Sequence, residues 1–203
     1  MKNLIILFLL AFTSCAQPEP FRAPIALMDR SEISAIRLSS IGDFGLQRTD
    51  RPEVPAHLHT GIDIMRPSNN YIHNPIYPIA KGMVISKRTD GPYAQLILEH
   101  KLKTDTFWTL YEHIAEILVE INQEVDPNEE IARFFNKAEL DLHGWQFDHF
   151  HFEVLKTPPK PIQPTPKLPH RQFMSFTLEC FDETELLNRF HDPLTFMKKH
   201  QNQ

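Results

Sequence analysis

Cysteine is nearly absent from this 203-residue chain, which has only Cys15 and Cys180. No disulfide framework can hold the fold, so it must rest on packing. Glycine is scarce at six residues, and no stretch beyond the N-terminus is apolar for long enough to span a bilayer. Lysine and arginine together number 21 against 26 acidic residues, and a formal charge of −5 gives none of the basic excess that nucleic-acid binding requires. No internal repeat is present. Proline, phenylalanine and histidine are plentiful, at 17, 15 and 11 residues.

The opening MKNLIILFLLAFTSC has Lys2, an apolar run from Leu4 to Phe12, and the small residues Thr13 and Ser14 before Cys15. This pattern reads as an export signal over residues 1–15. The run is about half the length of a membrane-spanning helix. A cysteine at this place resembles the lipobox of bacterial lipoproteins, which implies an acylated Cys15 and attachment to a membrane. Ordinary cleavage near Ala16 is the alternative. With Cys15 acylated, Cys180 has no partner. Residues 16–24, AQPEPFRAP, carry three prolines and suit a tether. Residues 25–203 have the length of one domain.

Within that domain, residues 25–45 lean towards strand. GMVISKRTDGPYAQLILEH, 82–100, has two apolar, β-branched runs around Asp90 and Gly91 and reads as a hairpin. FWTLYEHI, 107–114, reads as a third strand, and EILVEI, 116–121, either extends the sheet or forms a short helix. The proline-rich TPPKPIQPTPKLP, 157–169, can be neither helix nor sheet interior, which makes it a surface excursion. FTLEC, 176–180, is a candidate strand. Asp182 with Glu185 predicts a capped helix, and Asp192 before Pro193 predicts a closing helical turn.

Two stretches carry candidate chemistry. In FDHFHFEV, 147–154, strand alternation sends His149, His151 and Glu153 to one face and Phe150, Phe152 and Val154 to the other. In HLHTGIDIM, 57–65, His59 and Asp63 share one side, the β-branched residues favour a strand, and Gly61 between them leaves room for an ion. Either stretch alone is close to chance expectation in a chain with 11 histidines. Polar residues on one strand face and metal ligands remain alternative readings of both.

Order and flanks add specificity. FGLQR (44–48), HTGID (59–63), PIYPIAKGMV (75–84), LILEH (96–100), YEHI (111–114) and HFHFEV (149–154) together resemble the LytM/lysostaphin-type zinc metallopeptidases, which cleave peptide bonds in bacterial cell walls. The resemblance covers residues 41–155, with a weaker echo at DPLTFM. It implies a mainly β fold: a compact antiparallel β-sheet domain with short C-terminal helices. It further implies Zn²⁺ as cofactor, with His59, Asp63 and His151 as ligands and His113 and His149 as catalytic residues. The implied substrate is the peptide part of peptidoglycan, and the implied location is the cell envelope. Two imidazoles and one carboxylate would leave the ion positively charged with an open fourth position, as a catalytic zinc requires.

The chain departs from the family pattern before His149. FFNKAELDLHGWQFD, 134–148, stands where the family has a turn rich in glycine and threonine, and Asp148 precedes His149. DGPYA replaces the family's Gly-Tyr-Gly. The proline-rich excursion and the segment after it, 157–190, exceed a minimal domain and are expected to border or cover the groove. The alternative function is that of a non-catalytic envelope protein that binds peptidoglycan or activates another hydrolase. Such relatives commonly lose zinc ligands, whereas this chain keeps the set.

Overall fold

The computed structural model describes residues 20–201; the signal and Cys15 lie outside them. No helix among the described residues is long and apolar enough to cross a membrane.

The strands are β1 (Gln47–Arg48), β2 (His57–Leu58), β3 (Ile62–Met65), β4 (Pro75–Ile76), β5 (Gly82–Arg88), β6 (Gln95–Lys101) and β7 (Thr106–Glu112). They continue with β8 (Glu124–Val125), β9 (Ala132–Arg133), β10 (His149–Leu155), β11 (Lys160–Pro161), β12 (Phe173–Met174) and β13 (Phe190–His191). The helices are α1 (Lys137–His143), α2 (Glu183–Arg189) and α3 (Pro193–His200). One seven-stranded sheet runs β13-β10-β7-β6-β5-β8, with β3 also paired to β10. All its pairings are antiparallel. The expected mainly β, antiparallel domain with short C-terminal helices is the fold found.

Alternation along the strands gives the sheet two faces. Phe150, Phe152, Val154, Leu96, Leu98 and Tyr111 enter the main core, closed from outside by N-terminal residues and α3. Their neighbours Leu155, Ile97, Trp108 and Leu110 point the other way, into a second apolar cluster capped by Cys180, Leu186 and Phe190. Further along that second face the residues turn polar: His151 and Glu153 on β10, Glu112 on β7, Gln95 on β6. The C-terminal extension therefore covers one half of this face, and the other half floors a groove.

Several expectations are corrected. The segment assigned to a tether is already docked at Phe21, which is buried and packs on Phe107, Phe196 and His200. An aromatic so placed recovers more by burial than a free tether would retain in entropy. Residues 25–45 form no strand. They hold a 3₁₀ turn at Ile33–Ala35 and isolated bridges at Ile25 and Leu38, because their apolar side chains follow the surface they cover instead of a period of two. Residues 116–121 are neither strand nor helix, and 176–180 turn over the second cluster. The 82–100 hairpin forms, but the Asp90–Gly91 pair opens a longer connection through a 3₁₀ turn at Gly91–Tyr93. The altered stretch before His149 contains α1, opened by a capping box between Asn136 and Glu139. Both C-terminal helices have the expected caps, Asp182 on Glu185 N–H and Asp192 on Thr195 N–H.

Candidate metal centre and groove

Sheet register builds the centre. Where β3 meets β10, Asp63 stands directly opposite His151. A slip of one residue would send one of them to the core face, so burial of Ile62, Ile64, Phe150 and Phe152 locks the pair. His59 reaches them from the break between β2 and β3. His59 Nε2 lies 2.9 Å from His151 Nδ1, and each of these nitrogens lies 3.1 Å from Asp63 Oδ1. These three buried residues form a group able to hold a metal ion.

Hydrogen bonds behind the imidazoles fix which nitrogen faces inward. His59 Nδ1 must donate to the Asp43 carbonyl at 2.8 Å, because a carbonyl only accepts; its Nε2 then carries a lone pair. His151 Nε2 donates to Glu153 Oε1 at 3.1 Å, which turns the Nδ1 lone pair to the same point. Two lone pairs and a carboxylate oxygen so close together repel unless a positive charge lies between them. The site accordingly favours positive charge. Burial lowers the basicity of His151, but hydrogen bonds to Asp63 and Glu153 outweigh it and raise its pKa to about 10. Burial alone would raise Asp63, yet its close contacts with His151 and His59 hold it far below the usual carboxylate range. Tetrahedral zinc with bonds of 2.0–2.1 Å needs ligand atoms roughly 3.3 Å apart, so the observed triangle fits the ion after small adjustments.

The supports come from elsewhere in the chain. Arg48 Nη2 donates to Asp63 Oδ2 at 2.7 Å, leaving Oδ1 for the centre. Glu153 is completely buried and accepts from four donors: Thr60 at 2.5 Å, Thr177 at 2.9 Å, His151, and the Ser175 hydroxyl. A carboxylate held this way stays ionised despite its burial, and its pKa is lowered. Gly61 does not leave room for an ion, as the sequence had suggested. A Cβ there would lie 2.3 Å from the Phe152 carbonyl oxygen and 2.9 Å from His151 Cε1, so glycine is needed for the close approach of β3 to β10.

His113 and His149 stand beside the triangle. His149 Nε2 is 3.7 Å from Asp63 Oδ1, and the rings of His113 and His149 meet edge to face at 5.4 Å. His113 takes a left-handed backbone conformation, φ 63°, unusual for a non-glycine residue at the end of a strand. Its Nδ1 donates to the Pro92 carbonyl at 2.6 Å, which leaves Nε2 as an acceptor. Burial lowers both pKa values to about 4. All five residues singled out from sequence thus meet in one place. His57 is buried nearby with Nδ1 donated to the Pro55 carbonyl, and His100 lies in the core against Phe107.

Sequence reading missed Arg48, Glu153, Thr60, Ser175 and Thr177 as supports. Arg48 lay inside a recognised motif without a role. Ser175 and Thr177 alternate in MSFT, a pattern that places two hydroxyls on one side, but nothing local connects them to Glu153. Asp148, noted as a departure, accepts from Arg66 Nε at 2.9 Å and from the Tyr71 hydroxyl at 3.2 Å, which anchors the entry to β10. The centre opens into a groove of about 1040 Å³, lined among others by Arg48, Tyr93, His113, His149, Arg171 and Thr177.

Residues 57–164 match Peptidase family M23. Among solved structures the chain is similar to a zinc-containing peptidase from Vibrio cholerae, at 24% identity and TM-score 0.46 over 76% of this chain and 39% of that one. It is similar to the catalytic domain of the antimicrobial peptidase lysostaphin from Staphylococcus simulans, at 15% identity and TM-score 0.46 over 82% and 95%. It is also similar to the complex of SpoIIIAH and SpoIIQ, at 20% identity and TM-score 0.44 over 65% and 92%. The chain thus spans 39% of the length of the Vibrio cholerae protein. Comparison with curated proteins gave no match.

Proposed function

The chain belongs to peptidase family M23, and from that membership and its site we propose a zinc-dependent endopeptidase that hydrolyses peptide bonds in bacterial cell-wall peptidoglycan. The observation that carries this reading is the convergence of His59, Asp63 and His151 on one point, with His113 and His149 at its side on the floor of an open groove. His59, Asp63 and His151 would hold the zinc. When bound, the ion supplies a Lewis acid that activates water at neutral pH and polarises a carbonyl.

The remaining steps belong to the protein. Near pH 7 His113 and His149 are neutral, so they are bases without first losing a proton. His113, with Nδ1–H committed to Pro92, presents Nε2 to take a proton from the attacking water. The resulting imidazolium, with His149 beside it, can stabilise the developing oxyanion and return the proton to the leaving amine. Glu153 and Arg48 hold two of the ligands in place. We place the protein in the cell envelope, attached through an acylated Cys15.

The test is release of soluble fragments from purified sacculi by the zinc-loaded protein, its loss with a chelator, and its return on adding zinc. Intact sacculi after incubation with the zinc-loaded protein would remove the hydrolase reading in favour of a binding or activating role.

A further inference from the structure

One wall of the groove lies C-terminal to the family match. It is formed by residues 170–179, C-terminal to residues 57–164. This segment is fastened to β5: Lys87 N–H donates to the His170 carbonyl at 3.0 Å, and Ser86 Oγ accepts from the N–H groups of Gln172 and Phe173 at 3.1 Å. The backbone of Arg171 is therefore held in place at the groove.

Its side chain, in contrast, has no partner. Among the described residues the Arg171 guanidinium makes no hydrogen bond or ion pair, and its Nε is buried and unsatisfied while the outer nitrogens are not enclosed. Most of the other groove charges are committed. Arg48 binds Asp63 at 2.7 Å, Arg88 binds Asp90 at 2.6 Å, and Glu179 pairs with Lys160. Glu112 accepts from Gln95 at 2.5 Å, and burial pushes its pKa up. Asp90, which also feels the charge of Arg171, is held below its usual value first by its bond from Arg88. Among the described residues, the exposed Arg51 is the one other groove cation without a carboxylate.

A guanidinium cannot shed its charge, and one that is partly desolvated and unpaired is stabilised by an incoming anion. We propose that Arg171 is a specificity-determining residue that binds a carboxylate of the peptide substrate, so that the groove selects acidic peptides over their amidated counterparts. The planar fork suits a two-pronged grip on a carboxylate. The kinetic form of this proposal rests on the endopeptidase reading; the binding form does not.

The probe is a set of soluble peptides from purified sacculi, one half left with free carboxylates and the other converted to primary amides. Wild type, Arg171→Gln, Arg171→Lys and Arg51→Gln are compared, each with unchanged zinc content and melting temperature as the check on folding. A charge-assisted hydrogen bond predicts a KM about tenfold lower for the free peptides in wild type, with kcat nearly unchanged. Arg171→Gln should treat both preparations alike, Arg171→Lys should recover part of the difference, and Arg51→Gln should keep it. Wild type without discrimination, or Arg171→Gln with discrimination intact, overturns the proposal. If nothing is cleaved, the hydrolase reading falls, and equilibrium dialysis of the same two preparations against the same proteins reads the carboxylate preference directly.

Discussion

Gly61→Ala tests how tightly the fold and the metal centre are joined. The added Cβ would sit 2.3 Å from the Phe152 oxygen and 2.9 Å from His151 Cε1. Ordinary contact needs roughly 3.4 Å, so the chain at Gly61 and β10 must part by about 1 Å, two residues from the point where Asp63 faces His151. Overpacking of this kind costs about 1–3 kcal/mol. For a domain of this size that lowers the melting temperature by roughly 2–4 °C per kcal/mol. The ligands suffer as well, since metal–ligand bond lengths in such sites stay within about 0.2 Å of their standard values. The variant should therefore melt several degrees lower in the presence of a chelator and bind zinc at least tenfold more weakly by competition with a chromophoric chelator. Gly91→Ala is the control: it meets nothing within 4 Å and is strained only by its φ of +58°, so it should lose about 1 kcal/mol and leave zinc binding unchanged. Gly61→Ala with wild-type zinc affinity and no greater loss of stability than Gly91→Ala would refute the reasoning.

Glu153→Ala leaves three hydroxyls and the His151 imidazole without their acceptor in a buried place. It should cost more than about 3 kcal/mol in urea unfolding and weaken zinc binding by about 10–100-fold; a loss below 1 kcal/mol would contradict the account. His113→Ala and His149→Ala should each lower sacculus hydrolysis by at least about 10²-fold while zinc content stays at the wild-type level; loss of zinc in either would make that residue a ligand. His100 is fully buried, and burial lowers its pKa from 6.5 to about 4. The unfolded chain therefore takes up the proton first, and the His100 contribution to stability is constant above pH 6.5 and falls between pH 6.5 and 4, by roughly 3 kcal/mol. In His100→Gln that part of the pH dependence should flatten in urea unfolding; parallel curves for the two proteins would sink it.

The sequence was most legible where period and burial agree. Alternation in FDHFHFEV separated His149, His151 and Glu153 from three core residues, and the structure keeps that separation. The hairpin, the third strand and both C-terminal caps were legible because their determinants lie within a few residues. Residues 25–45 were not, because their apolar side chains answer to a surface built by strands far along the chain. Ser175 and Thr177 were hidden for the same reason: they meet Glu153 only after the proline-rich excursion returns the chain to the sheet. Gly61 was seen as space for an ion, whereas the space is taken by the Phe152 backbone. Side-chain alternation alone cannot tell a gap from a close approach.

The proposed function stands or falls with one zinc ion bound by His59, Asp63 and His151. X-ray absorption at the zinc edge, on protein loaded with one equivalent and freed of excess metal, measures this directly. The expected result is one zinc per chain with only nitrogen and oxygen neighbours at about 2.0–2.2 Å, two of them imidazoles, and its loss in His151→Ala. A spectrum showing sulfur in the first shell, or stoichiometric zinc surviving in a His59→Ala, His151→Ala double variant, would contradict it.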